Sequence, residues 1–132
     1  MTKSSADCVV DTFAWVEYFS GSRLGNLAAG YLNSGRTLTP TIVMAELAAK
    51  YARERNPRWN PEYRFVLAKS MLVEFTLDIA LGSGRVREQM RAANPGAGLV
   101  DAIIYETARA HGVPVLTGDP HFKGMPHVVF LE

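Results

Sequence analysis

Short apolar runs alternate along the chain with longer stretches of helical spacing. Cys8-Val9-Val10 is a continuous apolar triplet that breaks at Asp11 and passes into Thr12-Phe13-Ala14-Trp15-Val16-Glu17-Tyr18-Phe19. This predicts a buried strand followed by a helix closed at Gly21. Residues 23–33 put Leu24, Leu27, Ala28, Tyr31 and Leu32 on one helical stripe, stopped by Ser34-Gly35. Thr37-Leu38 predicts a short strand. Thr39-Pro40 then predicts the cap and first-turn proline of a helix running through Glu46 and Tyr51 to about Arg55, where Asn56-Pro57 ends it. Asn60-Pro61 predicts a further helix start, with Tyr63, Val66, Leu67 and Ser70 in its span, and residues 71–76 predict a strand. Helix resumes after Thr76, although Gly82 and Gly84 weaken its middle. The Asn94-Pro95-Gly96-Ala97-Gly98 segment is a break. Beyond it Val100, Ile103, Ile104, Thr107, Ala108 and His111 keep helical spacing, with Gly112 just past the helix end. Pro114-Val115-Leu116-Thr117 predicts a strand, Gly118-Asp119-Pro120 a turn, and residues 127–131 a final strand.

Strands separated by helices of ten to fifteen residues imply a parallel sheet with right-handed crossovers and helices on both faces. The expected fold is therefore α/β, a three-layer α/β/α sandwich around a mainly parallel sheet. With 132 residues and neither a repeat nor a linker, one domain spanning residues 1–132 is expected.

Composition narrows the function classes. Hydrophobic residues make up 48% and charged residues 20%, which excludes intrinsic disorder. Fourteen Lys and Arg against thirteen Asp and Glu leave a net charge of +1, so a nucleic-acid partner would have to be met by a local patch. A lone cysteine, Cys8, can form neither an intramolecular disulfide nor a thiolate zinc site, which favours a reducing compartment. Residues 1–7 lack the apolar stretch of a signal peptide, and no apolar run approaches the roughly 20 residues of a membrane span. The expectation is a cytoplasmic protein with no membrane partner.

Four acids interrupt apolar stretches: Asp11, Glu46, Asp101 and Asp119. Burying a lone carboxylate is costly. Asp11 and Asp119 follow predicted strands at their carboxyl ends, the edge at which open parallel sheets bind ligands. Asp101 begins a predicted helix, where free N–H groups and the dipole favour a carboxylate. Glu46 follows Ile42 and Val43 by four and three residues, and so leaves its helix toward the core. Each acid alone also reads as a cap, a turn residue or a half-exposed helix residue. Taken together, four carboxylates repel unless a cation joins them, and an oxygen-only set selects a hard ion, Mg²⁺ or Mn²⁺. The reaction suited to such a site is phosphodiester hydrolysis. Glu74 and Asp78, explained by an exposed strand position and a helix start, stay outside this set.

The residues that carry this pattern resemble the PIN-domain ribonucleases: Val9-Val10-Asp11-Thr12-Phe13-Ala14-Trp15, then Glu46, then Leu99-Val100-Asp101-Ala102-Ile103-Ile104, then Leu116-Thr117-Gly118-Asp119-Pro120-His121-Phe122. Within that family the likeness is to VapC-type toxins, in order and spacing over nearly the whole chain. The resemblance implies that Asp11, Asp101 and Asp119 hold the metal directly or through water, and that Glu46 completes the carboxylate ring. It also implies that the Thr12 and Thr117 hydroxyls support those acids, although capping and strand-end hydrogen bonding explain both threonines equally well. An RNA substrate, a cognate antitoxin and a homodimer are implied as partners. One position departs from a common family variant. His121 stands where many relatives carry an acid, and it reads as a surface turn residue.

Between residues 50 and 69, Lys50, Arg53, Arg55, Arg58, Arg64 and Lys69 outnumber Glu54 and Glu62 and are interleaved with Tyr51, Trp59, Tyr63 and Phe65. Such an arm suits phosphate contacts with base stacking, or a helical interface with a second copy or an antitoxin. Arg53 and Arg58 are its candidate binding residues. Arg85, Arg87 and Arg91 read as a solvated helix face. Two other enzyme classes place acids at a sheet edge. A haloacid-dehalogenase-like phosphatase wants a second Asp at the position of Phe13, and a receiver domain wants paired acids in the first loop; neither is present. The alternative from a different class is a non-catalytic PIN-like RNA- or protein-binding module, which would be recognised by lost acids.

Overall fold

A computed structural model describes residues 6–132, so most of the segment read as lacking a signal peptide lies outside the described residues. The chain runs β1 (Cys8–Val10), α1 (Thr12–Ser20), α2 (Arg23–Leu32), β2 (Thr37–Pro40), α3 (Thr41–Arg53), α4 (Trp59–Lys69), β3 (Ser70–Val73), α5 (Leu77–Ala93), α6 (Leu99–Ala110), β4 (Val115–Thr117), a single 3₁₀ turn (Pro120–Phe122) and β5 (Val128–Phe130). All five strands are parallel, in the order β3-β2-β1-β4-β5, and the helices cover the sheet as a three-layer α/β/α sandwich. The chain winds outward from β1 to β2 and β3, then returns to the other side of β1 as β4. A reversal of winding direction opens a crevice at the carboxyl ends of the two strands that flank it. Here those strands are β1 and β4, which end at Val10 and Thr117.

Continuous burial of β1 and β4 accounts for their unbroken apolar runs, because both faces of a central parallel strand are covered. Trp15 anchors the core beneath α1, fully buried and packed with Tyr18, Phe19 and Phe65. Truncating such a side chain to alanine typically costs about 3–5 kcal/mol. Its indole N–H donates to Thr39 Oγ1 at 3.1 Å, and Thr39 in turn shares a 2.7 Å hydrogen bond with Ser70. Thr37 also donates to Ser70, so the hydroxyls buried across β2 and β3 satisfy one another.

Several boundaries differ from the expectation, each for a local reason. Thr39-Pro40 does not open α3 but completes β2. The Thr39 hydroxyl is taken by Trp15, and Pro40 sits extended at φ −63°, ψ 143° opposite Val73. Helix α3 stops at Arg53 rather than Arg55, which adopts a left-handed φ of 51°. Helix α4 opens one residue before Asn60-Pro61, and it ends before Ser70, which belongs to β3. That strand stops at Val73, short of the predicted residue 76, which leaves Glu74 exposed. Helix α5 runs unbroken through Gly82 and Gly84. Gly82 is needed there because a Cβ would lie 1.9 Å from the Glu106 carboxylate on α6. Within the arginine cluster of α5, Arg85 and Arg91 are exposed as expected, whereas Arg87 is half-buried, its Nε without a hydrogen-bond partner. Gly112 follows α6 with φ +69°, as its position predicts.

Candidate functional site

Asp11 is the residue that caps α1, with extended backbone dihedrals, yet its carboxylate makes no capping bond. It is turned instead toward β4, where Thr117 Oγ1 donates to Asp11 Oδ2 at 2.7 Å. The same hydroxyl accepts the Asp119 N–H at 3.0 Å, which ties the ends of β1 and β4 together. Asp119 caps the 3₁₀ turn, its Oδ1 accepting the His121 N–H at 2.9 Å. On α3, Glu46 accepts a hydrogen bond from Thr12 Oγ1 at 2.5 Å. Thr12 is thus the first residue of α1, not its cap, and its hydroxyl supports a carboxylate. Asp101 lies in the first turn of α6 rather than at its first residue, and its Oδ2 accepts the Gly98 N–H at 2.9 Å. Asp11, Glu46, Asp101 and Asp119 line one cleft with Thr12, Phe13, Val16, Glu17 and Lys50, a cavity of about 360 Å³ at the carboxyl edge of the sheet.

His121 departs from the surface-turn reading. Its Nδ1 lies 3.0 Å from Asp101 Oδ2 and 3.6 Å from Asp119 Oδ1, so the imidazole bridges two of the four acids. The turn after Asp119 brings this about: Pro120 starts a 3₁₀ turn, the fully buried Phe122 anchors it, and the intervening residue faces the break before α6. No periodicity could show that, because the contact joins residues 20 positions apart, one in the 3₁₀ turn and one in the first turn of α6.

Electrostatics distinguishes this cleft from a set of caps. Asp11 is 3% exposed, and burial pushes its carboxyl from 3.8 up to about 7, against the lowering effect of the Thr117 hydrogen bond. The charges of Asp119, Asp101 and Glu46 add to that rise. Burial likewise raises the Glu46 carboxyl, opposed by Thr12 and reinforced by Asp101 and Asp119. Among the described residues no lysine, arginine or histidine forms an ion pair with Asp11 or Glu46, and Lys50 at the cleft wall is paired with Glu54. The negative charge of Asp11 and Glu46 is therefore not balanced by an ion pair within the protein. Asp101, Asp119 and His121 each offer a ligand atom, and these atoms lie within 4.8 Å of one another. Asp11 and Glu46 lie in the same cleft but outside this converging group, and two carboxylates with an imidazole are donors that fit a divalent cation.

Residues 8–128 match the family model of the PIN domain. The chain belongs to the PIN domain family. Solved structures similar to this PIN domain include a toxin-antitoxin complex from Klebsiella pneumoniae, at 23% identity and a TM-score of 0.75, covering 96% of this chain and 98% of that one. A DNA-bound VapBC from Salmonella typhimurium aligns at 17% identity and a TM-score of 0.68, covering 93% and 95%. VapBC2 from Rickettsia felis, bound to a DNA fragment from its promoter, aligns at 18% identity and a TM-score of 0.71, covering 92% and 95%. No curated protein matches the chain. Among the described residues no helix is long and apolar enough to cross a membrane.

The basic aromatic arm has a more constrained geometry than its composition suggests. Tyr51, Trp59 and Tyr63 form a chain of tilted ring contacts between α3 and α4, with centroids 5.1 and 5.5 Å apart, and the Tyr51 hydroxyl donates to Glu62. Phe65 belongs to the Trp15 cluster. Arg58 pairs with Glu62 at 3.5 Å, and Arg53 is exposed. A second cavity, of about 220 Å³, runs along α1 and α3 to Arg58 and shares Val16 and Lys50 with the acidic cleft. The two cavities thus adjoin at Val16 and Lys50, while Arg53 lines neither.

Proposed function

We propose that the chain is a metal-dependent endoribonuclease that hydrolyses RNA phosphodiester bonds, acting as the toxin of a toxin-antitoxin pair. The observation that carries this reading is the convergence of Asp11, Glu46, Asp101 and Asp119 on one cleft in which Asp11 is buried without a protein cation. Asp11, Asp101 and Asp119 would hold Mg²⁺ or Mn²⁺, directly or through water, and Glu46 would close the ring. Bound there, the ion supplies a water of lowered pKa and neutralises the charge that develops on the phosphate. The chain's own residues do the rest. Thr117 orients Asp11 and Thr12 orients Glu46, each through one hydrogen bond. The amide of Gly98 orients Asp101. Phe13 and Val16 form apolar walls that exclude bulk water from one side of the cleft. The cavity toward Arg58 would seat either the RNA backbone or a segment of the antitoxin, with Arg53 and Arg58 meeting negative charge.

A homodimer is the third element of the reading. Met71, Leu72, Phe75, Leu77 and Leu81 are exposed on and just after the edge strand β3. An apolar patch along an unpaired strand edge favours association with a second copy.

The reaction is tested by incubating purified protein with labelled RNA and DNA in Mg²⁺ or Mn²⁺, with and without chelator, beside Asp101→Asn. The expected result is divalent-dependent RNA cleavage that leaves 5′-phosphate ends and is lost in the variant. Cyclic phosphate ends, or cleavage in excess chelator, overturn the reading, since a metal-activated water attacks phosphorus directly whereas a ribose 2′-hydroxyl produces a cyclic end.

A further inference from the structure

The imidazole of His121 has two faces with different surroundings. Nδ1 points at the carboxylates of Asp101 and Asp119, while Nε2 is directed at the backbone of the break before α6. A Cβ on Gly96 would lie 3.0 Å from Nε2, so the absence of a side chain at residue 96 leaves room for the ring edge. The His121 N–H is meanwhile fixed to Asp119 Oδ1. Ring placement, backbone anchor and the room left at Gly96 all direct Nδ1 toward the two acids. Its side chain is 41% exposed, so the ring is not a core histidine satisfied by burial.

A nitrogen donor changes which ion a carboxylate set prefers. Mg²⁺ is a hard ion that keeps oxygen ligands and gives up its water reluctantly. First-row transition ions accept imidazole better than Mg²⁺ does, and Mn²⁺, although the weakest binder of that series, is the one that also suits carboxylates and water. We propose that His121 is a direct metal ligand through Nδ1, alongside Asp101 and Asp119, and that it biases this cleft toward Mn²⁺ over Mg²⁺. This rests on the metal-site reading above and adds to it a nitrogen ligand and a selectivity. On binding, Nδ1 would give up the proton it shares with Asp101, leaving the neutral ring protonated at Nε2 and any further proton to solvent, and Nδ1 and Asp101 would then both donate to one ion.

The test needs no cleavage assay. Mn²⁺ is titrated into the full chain and free Mn²⁺ is followed by electron paramagnetic resonance, with Mg²⁺ competition giving the second affinity. Spin-echo modulation of bound Mn²⁺ reads any coordinated ¹⁴N. Wild type is expected to show nitrogen modulation that disappears in His121→Ala. That variant should lose on the order of 10-fold in Mn²⁺ affinity, with a much smaller change for Mg²⁺. His121→Asp, which restores an oxygen-only set, should move the preference back toward Mg²⁺. Absent nitrogen modulation in wild type, or an Mn²⁺/Mg²⁺ ratio unchanged in His121→Ala, overturns the inference. Loss of Mn²⁺ binding in Asp101→Asn alongside either of those results leaves the carboxylate site standing without the imidazole. Mn²⁺ binding that survives in Asp101→Asn overturns the metal-site reading and this inference with it.

Discussion

Two carboxylates sink into this molecule on different terms. Glu106, on α6 where it packs against α5, is 6% exposed and accepts two hydrogen bonds from the Arg109 guanidinium, at 2.6 and 2.8 Å. Asp11, at the end of β1, is buried to a similar degree, but it has one threonine hydroxyl and three other acids for company. The first acid is matched within its own helix, by a residue three positions on. The second has no ion-pair partner among the described residues. A buried charge persists when it is paired, and an unpaired one shifts its pKa or waits for a ligand. That contrast separates a structural acid from a functional one better than burial alone, since burial is the same for both.

The sharpest break of this contrast is Asp11→Asn, which keeps volume and removes the charge. RNA cleavage in Mg²⁺ or Mn²⁺ should fall on the order of 100-fold or more, and the thermal stabilisation by added metal should largely vanish. Cleavage within a few-fold of wild type would place Asp11 with the structural acids.

Next in size is the packing on the Glu106 side. Gly82→Ala forces a methyl group into the space of the Glu106 carboxylate and should destabilise the fold by about 1–3 kcal/mol, read by denaturant unfolding, without changing metal affinity. An unchanged midpoint would mean that Glu106 moves aside freely and that its pairing with Arg109 is incidental.

The pH dependence of stability is the third measurement. Burial and like charge raise the Asp11 carboxyl to about 7 in the folded chain, from 3.8 when unfolded. Between those values the native state holds a proton that the unfolded chain has released. In chelator, the stability contributed by Asp11 is therefore full below about pH 4 and is lost as pH rises through about 7. Asp11→Asn should flatten this fall and, near pH 7.5, should melt higher than wild type by a shift worth about 1 kcal/mol. A wild-type melting temperature that rises from pH 5 to pH 7.5 in chelator has the wrong sign.

The smallest expected effect concerns the basic arm. Arg53→Ala combined with Arg58→Ala should weaken RNA binding several-fold while leaving stability nearly unchanged. The salt slope of binding should drop by about 0.7 for each RNA phosphate that the arm no longer neutralises. An identical salt dependence in the double variant would make the arm a surface feature with no part in binding.

The alternation of strands and helices was legible in the chain because a parallel sheet buried on both faces writes continuous apolar runs, and because Gly112 marks a helix end through its own backbone freedom, whereas the strand order came only from the folded sheet. The four acids were legible for a related reason. A carboxylate interrupting an apolar stretch carries a cost that must be met somewhere, and the place of Asp11 and Asp119 just past predicted strands says at which edge. What the sequence could not decide was pairing. Thr39 looked like a cap and became the acceptor for Trp15, while Gly82 looked like a helix breaker and became the seat of Glu106. His121 looked like a turn residue and faces Asp101. In each case the deciding contact joins residues at least 20 positions apart, and local propensity carries no information about a partner that only the folded chain brings within reach.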